Sequence, residues 1–101
     1  MPILRDPTAL ARTVVADGEV VGDIVTFFHE DRREVGYWIA REHSGREIAT
    51  RALRLLLEVE TRRPLYAGVV PHNAGSVRVL EKCGFVSEGF DGTDLSFRLD
   101  S

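Results

Sequence analysis

The strongest constraint on this chain is a helical stripe set between two strand-like runs. Across residues 46–62 the apolar positions Ile48, Ala49, Ala52, Leu53, Leu56 and Val59 recur at spacings of three and four, the period of one helix face. Ahead of it, residues 34–40 (EVGYWIA) are rich in strand formers, and behind it residues 65–70 (LYAGVV) form a short apolar run. Pro64 separates helix from run, because a proline in a helix interior lacks the N–H and clashes with the preceding turn. A strand, helix, strand order predicts a parallel pair of strands joined by a right-handed crossover.

Hairpins flank this unit on both sides. Residues 10–16 and 19–28 are rich in Val, Thr, Ile and Phe, and Asp17-Gly18 between them suits a type I′ turn, which needs positive φ at both central residues. The pattern predicts a hairpin over 10–28, after which the polar run 29–33 turns the chain into the strand at 34–40. Asn73 is an N-cap for a second helix over 74–83, with Val77, Val79 and Leu80 as its apolar residues. Gly84 stands at the left-handed C′ position, which places Phe85 at C″, packing back on Leu80. A closing hairpin over 86–99 turns at Asp91-Gly92, and Leu95, Phe97 and Leu99 alternate with polar residues along its second strand. The expected architecture is α/β: one domain over 1–101, a mixed, mostly antiparallel sheet of about six strands, and two helices.

With 101 residues the chain has room for a single core. A hydrophobic share of 44% beside 29% charged residues is that of a folded globular protein and excludes a disordered tail. The net charge of −3 leaves no electrostatic footprint for nucleic acid or an anionic membrane, so any phosphate site has to be local. One cysteine, Cys83, cannot form an internal disulfide, and His29, His43 and His72 are scattered rather than set at metal-ligand spacing. No signal-peptide pattern or membrane-length apolar run is present, and the expected compartment is cytoplasmic.

The start of the helix at 46–62 is the first candidate site. The first turn of a helix leaves N–H groups unpaired at the positive end of the dipole, where anions settle. Ser44-Gly45-Arg46-Glu47 also fits a capping box, in which Ser44 as N-cap and Glu47 at N3 satisfy that end internally.

Three segments carry a family resemblance: GYWIAREH at 36–43, GREIATRALRLLL at 45–57 and PHNAGSVRVLEKCGFVSEG at 71–89. Together with the order of elements, they resemble the GNAT superfamily of N-acetyltransferases, in particular the branch acting on ribosomal proteins, amino acids or small amines. The resemblance spans roughly residues 10–100. It implies acetyl-CoA as cosubstrate and direct attack of an amine on the thioester. It also implies main-chain contacts from Ile39 and Ala40 to the pantetheine arm, and pyrophosphate over the amides of Gly45, Arg46, Glu47, Ile48, Ala49 and Thr50. Asn73 and Ser76 would meet the lower part of the pantetheine. Glu34 matches a position that serves as the base in relatives, and Tyr37 is a possible acid for the leaving thiolate.

Each assignment has a structural counterpart. Asn73 is equally an N-cap, and Arg46 a solvated helix-start residue. Arg78 and Lys82 read as surface charge, Cys83 as a packing residue, and Glu34 as the ion-pair partner of Arg32 or Arg33. Two departures bear on activity. Ser44 and Glu47 stand where the family carries Gln or Arg and Gly, and a carboxylate about 5 Å from a phosphate charge weakens binding roughly five-fold to a hundred-fold. The relatives also carry a leading strand and helices, while only residues 1–9 precede the first hairpin here. An open sheet edge and uncovered apolar face predict a homodimer or a covering partner. The second functional class consistent with the sequence is a non-catalytic GNAT-like remnant or dimeric interaction module with weak or no CoA binding.

Overall fold

The computed structural model describes residues 7–40, 43 and 47–101. Six strands and two helices follow in the order β1 (Leu10–Ala16), β2 (Glu19–His29), β3 (Arg32–Ile39), α1 (Ile48–Val59), β4 (Leu65–Val69), α2 (Ala74–Lys82), β5 (Val86–Asp91) and β6 (Asp94–Leu99). They build one sheet in the order β1-β2-β3-β4-β6-β5, antiparallel throughout except for β3 beside β4. The mixed, mostly antiparallel sheet with two helices agrees with the architecture expected from the sequence.

Local chemistry sets the turns. Asp17 and Gly18 have φ of 54° and 80°, so Ala16 and Glu19 close a two-residue turn whose twist matches the strands it joins. The same geometry recurs at Glu30-Asp31, both at positive φ, and β3 begins at Arg32 rather than Glu34. The sequence places a turn within the polar run 29–33 but not its central pair, because non-glycine residues seldom adopt that conformation. In the last hairpin Asp91 pairs with Asp94, so the central residues are Gly92-Thr93 instead of Asp91-Gly92, with positive φ at Gly92.

Both helices lie on one face of the sheet, over a core that includes Val14, Val21, Ile24, Val35, Leu65, Ala67, Phe97 and Leu99. From α1, Thr50, Leu53 and Leu56 are buried, while Val59, expected on the inner face, is 55% exposed. The inward stripe is continued by Glu60, only 1% exposed, because this carboxylate finds partners that a valine could not use. Helix α2 buries Leu80 and ends in a full Schellman motif. Phe85 N–H donates to the Leu80 carbonyl at 3.0 Å, Gly84 N–H donates to Glu81 at 3.1 Å, and Gly84 takes φ of 94°.

A polar clasp ties the end of α1 to the sheet. Glu60 accepts from the Thr26 hydroxyl at 2.5 Å, and from the Arg62 Nη2, Nε and backbone N–H at 2.9, 2.9 and 3.1 Å. Arg62 and Arg33 both donate to the Thr8 carbonyl, and Arg33 also reaches the Thr8 hydroxyl at 2.6 Å. Burial alone would raise the Glu60 carboxyl. The bonds from Arg62 and Thr26 together outweigh it and hold the group at about 2.

A second constraint lies between β2 and β3. A Cβ added at Gly22 would stand 1.9 Å from the Trp38 carbonyl oxygen, and a backbone atom cannot give way as a side-chain tip can. Gly22→Ala is expected to cost at least ~2 kcal/mol in denaturant unfolding, the scale of an overpacked core site. For Glu60, the folded carboxyl near 2 lies below its usual 4.5, so the folded state binds fewer protons than the unfolded chain between those values. Its stabilising contribution, about 3 kcal/mol by linkage, is therefore present above pH ~4.5 and lost as the pH falls towards 2. Chemical denaturation of the native chain and of Glu60→Gln across that window should show the native slope flattened in the variant.

Candidate functional site

The parallel ladder between β3 and β4 contains only Arg33↔Leu65 and Glu34↔Tyr66. Beyond these pairs the strands part, although β3 continues to Ile39 and β4 to Val69. The opening leads into a groove of about 570 Å³ between the two helices, whose walls include Tyr37, Ile39, Thr50, Asn73, Ser76 and Lys82. The sequence brings these walls together through the crossover: β3 supplies one side, the start of α1 the second, and the start of α2, entered from the end of β4, the third.

Main-chain directions along β3 determine what faces the opening. The Trp38 carbonyl lies towards Gly22 on β2, and the Ala40 N–H donates to the Val21 carbonyl at 2.7 Å. Alternation along a strand then turns the main-chain groups of Tyr37 and Ile39 towards the β4 side. Ile39 thus turns its main-chain groups towards the opening. Ala40 turns the other way: its N–H is bound to β2, and its carbonyl accepts from the His43 N–H at 2.9 Å.

At the phosphate end, Ser44, Gly45 and Arg46 lie outside the described residues. Helix α1 starts at Ile48, so Glu47 is itself the N-cap and not the N3 residue of a capping box. It takes φ of 61°, its carbonyl accepts the first helical bond from Arg51 at 3.1 Å, and its side chain makes no cap hydrogen bond. The carboxylate turns instead to Lys82 on α2, with Nζ to Oε1 at 2.5 Å. That bond, reinforced by the ammonium charge, lowers the Glu47 pKa. The Glu47 side chain therefore caps none of the first-turn amides of Ile48, Ala49 and Thr50, and Ala49 and Thr50 line the groove.

On the α2 wall, the Asn73 Oδ1 accepts from the Ser76 N–H at 3.1 Å, which is the cap expected of it. The Ser76 hydroxyl in turn accepts from the Tyr37 phenol at 3.1 Å, a contact across the groove that strand and helix patterns could not foretell. Burial pushes the Tyr37 phenol up, with the Ser76 bond only partly opposing it. Cys83 is half-buried, its Sγ 3.7 Å from the Thr50 carbonyl, and burial raises its thiol; it acts as a packing residue between the helices.

Glu34 stands apart from the groove. It lies on the helix-free face of the sheet, at the closed end of the opening, and its carboxylate is 3.6 Å from the Arg32 Nε. Arg32 also holds Asp91 at 2.9 Å and stacks over the Tyr66 ring at 4.5 Å. Lys82, read from the sequence as surface charge, belongs to the groove. Its spacing from Ser76 and Val79 by threes, which puts all three on one helix face, was the available signal. Among the described residues no cluster of His, Cys, Asp and Glu could hold a metal ion, and no helix is long and apolar enough to cross a membrane.

Comparison with known proteins places this arrangement. Residues 5–86 match the family model described as an acetyltransferase (GNAT) domain. A probable N-acetyltransferase of Bacillus subtilis (strain 168), YjcK, is 45% identical over 60 residues, which cover 54% of this chain and 33% of that protein. Mycobacterium smegmatis RimJ, solved in complex with CoA-disulfide, superposes with a TM-score of 0.78 at 29% identity, over 92% of this chain and 53% of its own. The aminoglycoside acetyltransferase AAC(6')-Ib in complex with coenzyme A gives a TM-score of 0.80 at 16% identity, over 98% of this chain and 70% of its own, a likeness of fold alone. The chain thus spans a third of the length of YjcK and about half that of RimJ. With a family model matched across most of its length, the chain belongs to the GNAT acetyltransferase family.

Proposed function

We propose that the groove binds acetyl-CoA and that the protein serves N-acetyl transfer to an amine. The observation that carries this reading is the parting of β3 and β4 after two residue pairs, which leaves strand main-chain groups of Tyr37 and Ile39 facing a groove floored by a helix start. An extended amide-bearing arm pairs with such groups as an added strand does. Residues fit it along the whole length. Tyr37 and Ile39 offer main-chain partners, and the Asn73 carboxamide and Ser76 hydroxyl stand beside them. The amides of Ile48, Ala49 and Thr50 receive the pyrophosphate.

Acetyl-CoA supplies an activated acyl group: an amine nitrogen attacks its carbonyl, the C–S bond breaks, and the CoA thiolate leaves. The attacking nitrogen must first lose a proton, and in this reading that role falls to Glu34, which reaches it from the helix-free face at the closed end of the opening, directly or through water. The Tyr37 phenol, bonded to Ser76 inside the groove, is the proton source for the leaving thiolate. The reading in which the fold persists as a non-catalytic module differs by one measurable property, CoA affinity.

Self-association belongs to the same reading. Among the described residues strand β1 is the end strand of the sheet, and a second groove of about 700 Å³ runs between it and α1, where Val15, Leu55 and Val59 are exposed. A second copy pairing along β1 would cover this apolar strip.

Three outcomes test these statements. Calorimetry should show acetyl-CoA binding to the native chain and at least ~tenfold weaker binding to Ser76→Phe, which fills the groove. Equal titrations would remove the groove from the proposal, and no binding by the native chain would favour the module reading. With an amine that supports thiol release, Glu34→Gln should lower kcat by ~100-fold or more at unchanged acetyl-CoA affinity; an unchanged kcat would leave Glu34 as the partner of Arg32 only. Light scattering should report a dimer, and a monomer that binds no apolar dye would contradict the interface.

A further inference from the structure

We propose that Lys82 is a phosphate ligand of the groove and that Glu47 occupies it in the free chain as an internal anion, to be displaced by the incoming pyrophosphate. This rests on the reading that the groove takes an acyl-CoA.

Three observations carry it. First, the ion pair joins the two groove walls at the phosphate end. Glu47 is the N-cap of α1, Lys82 sits in the last turn of α2, both line the same groove, and their charged atoms lie 2.5 Å apart. Second, the charge of the described residues there runs opposite to that of the whole chain. Arg78 joins Lys82 in lining the groove, Arg54 donates to the Lys82 carbonyl at 3.3 Å and acts electrostatically on Glu47, and Glu47 is the only carboxylate among the described lining residues, although the chain carries a net charge of −3. A cationic end fits the anionic end of a nucleotide-bearing cosubstrate. Third, the Glu47 carboxylate bonds the ammonium and not the amides behind it, so it occupies the lysine and leaves the first-turn N–H groups to other acceptors.

Both side chains are more than two-fifths exposed, so exchange of one anion for another at Lys82 needs no rearrangement of the core. A pyrophosphate carries more charge and more acceptor oxygens than a carboxylate, and reaches the lysine and the helix amides together. The left-handed backbone at Glu47 turns the carboxylate across the groove mouth towards α2. The same pair also explains how a GNAT groove tolerates an acid at this point: its charge is answered by Lys82 whenever the ligand is absent.

The experiment is calorimetry of coenzyme A and of phosphate-free pantetheine against the native chain, Glu47→Gln, Lys82→Met and the double variant, with thermal melts to confirm folding. Coenzyme A should bind about tenfold tighter to Glu47→Gln and about tenfold weaker to Lys82→Met than to the native chain, as expected for one unit charge gained or lost near a phosphate. The double variant should bind it more weakly than Glu47→Gln alone, and pantetheine should bind all four alike. Equal coenzyme A affinity in all four would overturn the exchange and leave the groove assignment standing. Parallel changes for pantetheine would also overturn it, showing that the pair shapes the groove rather than competing for phosphate. Failure of both ligands to bind native chain and Glu47→Gln would overturn the groove assignment together with the exchange.

Discussion

Two residue pairs, Arg33↔Leu65 and Glu34↔Tyr66, make up the whole backbone ladder between the β1-β2-β3 half of the sheet and the β4-β6-β5 half. Every other feature answers to this short seam. Because hydrogen bonding stops there, α1 and the core beneath it must hold the halves at a fixed angle, and Leu53, Leu56, Leu65, Leu80 and Phe97 pack in that position. The strand groups released by the early end of the ladder are exposed to a ligand instead of to a neighbour.

The two ends of the seam are built from opposite materials. At the closed end, Glu60, Thr26, Arg62, Arg33 and Thr8 form a connected polar clasp in which a nearly inaccessible carboxylate is fully served by donors. Such a cluster rigidifies because each donor removed would strand a buried charge. At the open end, the groove walls meet through a half-buried hydrogen bond, Tyr37 to Ser76, and an exposed ion pair, Glu47 to Lys82, the latter costing little to exchange for ligand contacts. A rigid hinge at one end and replaceable contacts at the other suit the proposed binding of a long, flexible cosubstrate without loss of the fold.

Much of this was legible beforehand. The helical stripe, the Asp17-Gly18 turn, the Asn73 cap and the Gly84 C′ residue are local devices, each enforced by the conformational preferences of one or two residues. They give the elements and their order, and the family motifs give the kind of site. The misreadings share another character. Val59 and Glu60 exchanged places because periodicity counts hydrophobicity and takes no account of distant partners such as Thr26. Ala40 was assigned to the ligand although its N–H belongs to Val21, a residue nineteen positions earlier. Glu47 was read as a helix-internal cap, whereas it bonds a lysine thirty-five residues away.

By itself, then, the sequence determined what depends on neighbours within about four residues: secondary structure, turn chemistry, the parallel crossover and the family to which these belong. Only the tertiary structure decided which strand groups are spent inside the sheet and which face the groove, that Tyr37 meets Ser76, and that Glu47 spans to Lys82. The physical reason is range. Propensity and capping act along the chain and are written in its spacing, while hydrogen-bond direction and charge pairing depend on distances of a few ångströms that exist only after the core has packed.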